Sequence, residues 1–91
     1  DLMRTVRRTS QFKKDVERMK RRGKDLSRLK EVLEKITGGQ QLEAKYRDHV
    51  LVGQYQGTRE CHIKSDWLLI YELAQSEVVL IRTGTHADLF G

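Results

Sequence analysis

Apolar side chains recur every three or four residues from Phe12 to Ile36, whereas after residue 57 they crowd into blocks rich in β-branched and aromatic types. A helical period followed by a strand period constrains the fold strongly. Helix stripes and strand faces bury themselves in different rhythms, so one core must be shared between a helical layer and a sheet.

Phe12, Val16 and Met19 mark the first helix, which Thr9 or Ser10 can N-cap and Gly23 can end. Asp25 caps a second, in which Leu26, Leu29, Val32, Leu33 and Ile36 form one stripe closed by Gly38 and Gly39. So short a turn predicts an antiparallel helical hairpin. Its outer faces should show Lys13, Lys14, Arg18, Arg21, Arg22 and Arg28 to solvent. Leu2 to Arg8 reads as a short strand ahead of it.

Residues 40–57 have no clear period and contain Gly53 and Gly57, which predicts a long ordered loop. Three strands follow, at Thr58 to Ile63, Trp67 to Leu73 and Glu77 to Thr83, with turns short enough for antiparallel hairpins. The tail from Gly84 to Gly91 has room for a turn or one helical turn. The expectation is an α+β fold: an N-terminal strand, a helical hairpin, and a three-stranded antiparallel meander with the helices packed on one face.

Ninety-one residues suit one domain, 1–91, with no separate cofactor-binding unit. No apolar run approaches the roughly 20 residues of a membrane span, and no apolar stretch follows the early arginines as a signal peptide requires. The lone Cys61 cannot form an internal disulfide, which fits a reducing compartment, and we expect the cytoplasm. The net charge is +5, but residues 1–30 hold twelve Lys or Arg against four acids, and residues 31–91 six against nine. Basicity concentrated in the first third favours polyanionic partners.

In an antiparallel meander the first strand ends where the second begins and where the third ends. His62 closes the first, Asp66 opens the second and His86 follows the third, so these three should meet at one end of the sheet. His49 lies in the loop, and topology leaves it unplaced. Cys61 alternates away from His62 into the core. Trp67, Leu69, Tyr71 and Leu73 share one strand face and read as packing. A metal site has little support, since the chain holds neither an HExxH helix nor a CxxC pair.

Histidines gathered near a basic surface suit RNA cleavage. RNA carries its own nucleophile in the 2′-OH. A base must take that proton, a cation must balance the phosphoryl charge, and an acid must protonate the departing 5′-oxygen. Imidazole, with an ordinary pKa of about 6.5, serves as either acid or base. Arg82 is the leading cation, with Arg59 and Lys45 behind it, and Phe90 can pack or stack on a base.

The motifs KYRDH at 45–49, Gly53, Gly57, Arg59, HI at 62–63, DWLLIY at 66–71 and RTGTHADLFG at 82–91 resemble the RelE-type toxins of bacterial toxin–antitoxin pairs, and especially their YafQ branch. The resemblance spans the chain and is densest in its last 45 residues. It implies a ribosome-dependent mRNA endonuclease, acting at the A site, needing no cofactor, and neutralised by a cognate antitoxin. It also places His49, His62, Asp66 and His86 at the catalytic positions, with Arg82, Trp67 and Phe90 shaping the site. The roles expected are His86 as acid, Asp66 with His62 as base or base-orienting pair, His49 as a second proton-transfer or phosphate-positioning group, and Arg82 as the transition-state cation. Val50 departs from the pattern, since proline is expected after the first histidine. Two alternatives stand beside this: a non-catalytic RNA- or protein-binding module built on the basic hairpin, and a metal-dependent nuclease.

Overall fold

The computed structural model describes residues 4–91. Leu2 and Met3, included in the expected first strand, lie outside them. The chain runs β1 (Thr5–Arg8), α1 (Ser10–Arg21), α2 (Leu26–Thr37), β2 (His49–Val50), β3 (Arg59–Lys64), β4 (Trp67–Leu73), β5 (Glu77–Gly84) and α3 (His86–Phe90). The five strands form one sheet in the order β1-β5-β4-β3-β2, with β1 parallel to β5 and all other pairs antiparallel. Among the described residues no helix is long and apolar enough to cross a membrane.

The expected α+β architecture is present with two additions. The N-terminal strand joins the meander's far edge, turning three strands into a mixed sheet. The loop is also less irregular than its composition suggests, since single 3-10 turns at Ala44–Tyr46 and Gly53–Tyr55 flank the two-residue strand β2. Two residues are too few to display a period of two, so the sequence carries no signal for it.

Helix α1 starts where Thr9 Oγ1 accepts the Phe12 N–H, and α2 where Asp25 accepts the Ser27 N–H. Gly23, at φ 78°, takes the left-handed conformation that turns the chain between them. Phe12, Met19, Leu29, Val32 and Ile36 pack on one sheet face against Cys61, Ile63, Trp67, Leu69, Tyr71, Val78 and Leu80. Leu73 departs from its expected place, being 42% exposed at the strand's end. The other face has a smaller core of Leu68, Ile70 and Leu89, joined by Leu51, Tyr55 and Ile81.

β1 pairs with β5 only as far as Leu80, which leaves the rest of the β5 edge without a strand. Asp15 of α1, fully buried, fills that gap. It accepts hydrogen bonds from the Thr83 N–H (3.1 Å), Arg82 Nε (2.7 Å) and Nη2, Gln11 Nε2 and Arg18 Nη2. Burial alone would push this carboxyl up, but the bonds from Arg82, Gln11 and Thr83 outweigh it and hold it below the ordinary range. Arg18, expected on the solvent face, is therefore turned inward.

Removing one partner of a buried pair leaves uncompensated charge, so Asp15→Ala should cost about 3 kcal/mol in urea denaturation. The sign with pH follows from the lowered carboxyl. Its stabilisation is complete above the unfolded value of about 3.9 and fades as pH falls through the folded one. The stability gap between wild type and Asp15→Asn should therefore be full at pH 5 and close on acidification. A gap that is independent of pH would refute this role.

Candidate active site

The face opposite α1 and α2 carries the titratable residues. In β3, Glu60 and His62 alternate away from Cys61 and Ile63, which enter the helical-side core. His49 lies directly across the β2–β3 ladder from Glu60, on the same face. His49 Nε2 is 3.3 Å from Glu60 Oε1, and His62 Nε2 is 3.8 Å from the same oxygen. Glu60 is only 5% exposed, so this carboxylate is buried between two imidazoles. The Arg47 carbonyl can only accept, and it lies 2.7 Å from His49 Nδ1, so that nitrogen carries a proton.

His86 begins α3, whose N-cap Thr85 forms a capping box with Asp88. Asp66, in the β3–β4 turn, accepts both the His86 backbone N–H (3.0 Å) and its Nδ1–H (2.7 Å) through one oxygen. These bonds, the backbone one first, hold the Asp66 carboxyl below its ordinary range. It therefore stays ionised near neutrality, fixes the proton on Nδ1, and turns Nε2 outward. The His62 and His86 rings lie 5.9 Å apart between centroids, and Phe90 lies 6.3 Å from His86. Tyr55 meets Phe90 edge to face at 5.8 Å.

Thus His49, His62, Asp66 and His86 are brought together, including the histidine that topology left unplaced. The pairing differs from the one expected. Asp66 bonds His86, while the carboxylate beside His62 and His49 is Glu60, which sequence reasoning passed over. The signal was present, since Glu60 stands two residues before His62 and so on the same strand face.

The supporting residues divide. Phe90 stands at the site, half exposed. Arg82 reaches this face because of a bulge at Ile81: Leu80 lies opposite Tyr71, but Arg82 lies opposite Ile70. Its guanidinium is held first by Asp15, with Tyr55 a further partner, and these raise its pKa above the ordinary arginine value. Trp67 is buried on the opposite face, where its indole N–H donates to Thr83 Oγ1. Arg59 is also on that side, bonded to Asp48, which accepts the Tyr71 hydroxyl as well. Lys45 lies over the Tyr46 ring beside a cleft that His62 lines. Trp67 and Arg59 therefore act on the site only through packing of the sheet. Among the described residues no group of three or more His, Cys, Asp or Glu is placed to hold a metal ion.

Helix α3 has five residues and is fastened by more than its own hydrogen bonds. Arg22, expected on the solvent face, instead grips Asp88 through two bonds of 2.7 and 3.1 Å. That pairing, with burial opposing it and Thr85 assisting, holds the Asp88 carboxyl far below its usual range. Gly84 makes the approach possible. A Cβ there would stand 2.9 Å from both Cβ and Oδ2 of Asp88.

A mixed five-stranded sheet with two helices on one face is the build of the small YafQ- and RelE-like toxins. The family model for YafQ, the bacterial toxin of type II toxin–antitoxin systems, matches residues 4–91, and the chain belongs to that family. It is 38% identical over 91 residues to the mRNA interferase toxin YafQ of Escherichia coli, covering 99% of each chain. The crystal structure of E. coli YafQ superposes with a TM-score of 0.93 at 38% identity, covering 97% of this chain and 99% of that one. YafQ in the E. coli DinJ–YafQ toxin–antitoxin complex gives 0.91 at 39% identity, covering 98% and 99%.

Gly84→Ala should displace Asp88 and shift the amide and imidazole resonances of His86, with thermal stability falling by about 1 kcal/mol, or roughly 4–8 °C. Unperturbed His86 resonances would show that α3 is not held in this way.

Proposed function

We propose that this chain is the toxin of a toxin–antitoxin pair and cleaves mRNA on the ribosome, a reading supported as to toxin and mRNA by the name of its E. coli relative, mRNA interferase toxin YafQ. The observation that carries the chemistry is the Asp66–His86 dyad standing across from His62, with Nε2 of His86 free of hydrogen-bond partners among the described residues. Two imidazoles at that separation can bracket one phosphodiester. His62, backed by Glu60, takes the 2′-OH proton, and the 2′-oxygen attacks phosphorus. The 5′-oxygen leaves with a proton from His86 Nε2, giving a 2′,3′-cyclic phosphate and a 5′-OH.

His49 shares the buried Glu60 carboxylate with His62, which suits it to hold that group and a phosphoryl oxygen in place. Arg82 offers the cation that balances charge in the transition state. Phe90 offers an exposed face for a base. No step calls for a metal. The ribosome places the reaction in the cytoplasm, and a cognate antitoxin would silence it, by analogy with the DinJ–YafQ complex. The exposed lysines and arginines of α1 and α2 supply long-range attraction to ribosomal RNA.

Protein stripped of transition metals should still cut messages on translating ribosomes. His86→Ala should lower the rate at least a hundredfold, in the range of general acid–base catalysis. Glu60→Gln should fall by about tenfold or more with its thermal midpoint little changed. End-group mapping should find 5′-OH termini. Intact message with wild type, or full cutting by His86→Ala, would discard the mechanism, and activity restored only by added metal would move it to a metal-dependent class.

A further inference from the structure

A cleft of about 320 Å³ opens beside His62, and its wall is built from three separate segments. Arg28 comes from the first turn of α2, Lys45 and Arg47 from the segment after it, and Lys64 from the end of β3. Among the described residues Glu31 is the only acid that lines it. None of the four cations makes a salt bridge among the described residues, although Lys45 Nζ stands 5.2 Å above the Tyr46 ring. Elsewhere four arginines are held in close pairs: Arg18 and Arg82 with Asp15, Arg22 with Asp88, Arg59 with Asp48. Glu31 on the wall and Asp25, whose carboxyl Ser27 first and then Arg28 and Lys64 hold below its ordinary range, offset part of this charge, and the four cations on one concave surface still leave an excess that a further anion would balance.

The segment that carries two of them is shaped for the task. Arg47 is the only non-glycine residue at positive φ among the described residues, at 51°. That conformation costs about 1–2 kcal/mol in a residue with a Cβ. Its carbonyl orients His49 while its side chain lines the cleft, so one strained residue serves both the imidazole and the basic wall.

We infer that this cleft is a phosphodiester subsite, holding the backbone of the substrate strand next to the phosphate that lies between His62 and His86. His62 is the shared wall, with His86 on one side and the four cations on the other. The assignment rests on the reading of the chain as an RNA-cleaving toxin. It adds Arg28, Arg47 and Lys64 as substrate-binding residues and gives Lys45 a place in backbone binding rather than at the reacting phosphate. A single strand fits better than a compact anion, because the cations are spread over three segments.

Arg28→Gln and Lys64→Gln test this without disturbing the Arg47 turn. Two readouts are needed: cleavage of message on ribosomes, and binding of a short RNA whose cut-site 2′-OH is replaced by hydrogen, measured by fluorescence anisotropy across a salt series. The double variant should raise both KM and the Kd for the RNA about tenfold, with the loss falling on KM rather than kcat. The slope of log Kd against log salt should flatten by about 0.7 for each contact removed. Messages truncated immediately on one side or the other of the cut codon separate two sources of phosphate. If the cleft holds the message, one truncation erases the difference between wild type and variant. A difference that survives both truncations would assign the cleft to ribosomal RNA and overturn the inference, as would equal Kd values and equal slopes. A wild type that cuts nothing would sink the proposed reaction while the binding series still decided the subsite.

Discussion

The buried carboxylate of Asp15 is where the two halves of this protein are joined. A sheet edge normally needs another strand to satisfy its N–H groups, and β1 is too short to follow β5 to its end. Asp15 takes the Thr83 N–H in place of a strand and binds Arg82 and Arg18 at the same time. A single carboxylate thus fixes α1 against the last residues of β5. Without the arginines its burial would be prohibitive, and without the carboxylate Arg82 would lose its main anchor.

What Asp15 holds still, Gly84 and Asp88 extend. Two residues beyond Arg82 the chain must turn sharply into α3, and only a residue without Cβ lets Asp88 come close enough to cap the helix and reach Arg22. The same end of α1 that contributes to the basic surface therefore holds the helix that presents His86 and Phe90. A charge in the basic hairpin is thereby a structural part of the histidine site, a coupling that composition alone does not reveal. The cluster is held from three directions: Asp66 in the β3–β4 turn, Arg22 at the end of α1, and Leu89 in the small core.

Much of this was legible in the sequence. Period and caps located both helices and three strands to within a residue or two, because each long element repeats its signal several times. Meander topology by itself places His62, Asp66 and His86 at one end of the sheet. The failures are of another kind. A two-residue strand repeats nothing, so β2 was invisible, and with it the ladder that sets His49 opposite Glu60. The bulge at Ile81 is hidden in an unbroken apolar run, although it decides which face Arg82 occupies. Trp67 and Arg59 sit in motif positions yet face the helical side, since a motif records neighbours in sequence while the strand alternates between faces. Arg22 reads as solvated because nothing local distinguishes an arginine that meets a distant aspartate, here Asp88, whereas Arg18 has its partner Asp15 one helical turn away and what the sequence hides is that this aspartate is buried.

The placement of the site follows from how the two faces of the sheet are covered. Helices α1 and α2 bury one face of the sheet. The other face is covered only in part, by α3 and the loop around Leu51 and Tyr55. Glu60 and His62 lie where that cover ends, buried enough to hold a carboxylate among imidazoles and still open to a chain arriving from solvent. A larger domain could have sealed both faces and moved its chemistry to loops. Here the unsealed margin of the second core is a region where polar groups are both fixed by a rigid sheet and accessible, and the histidines gather there.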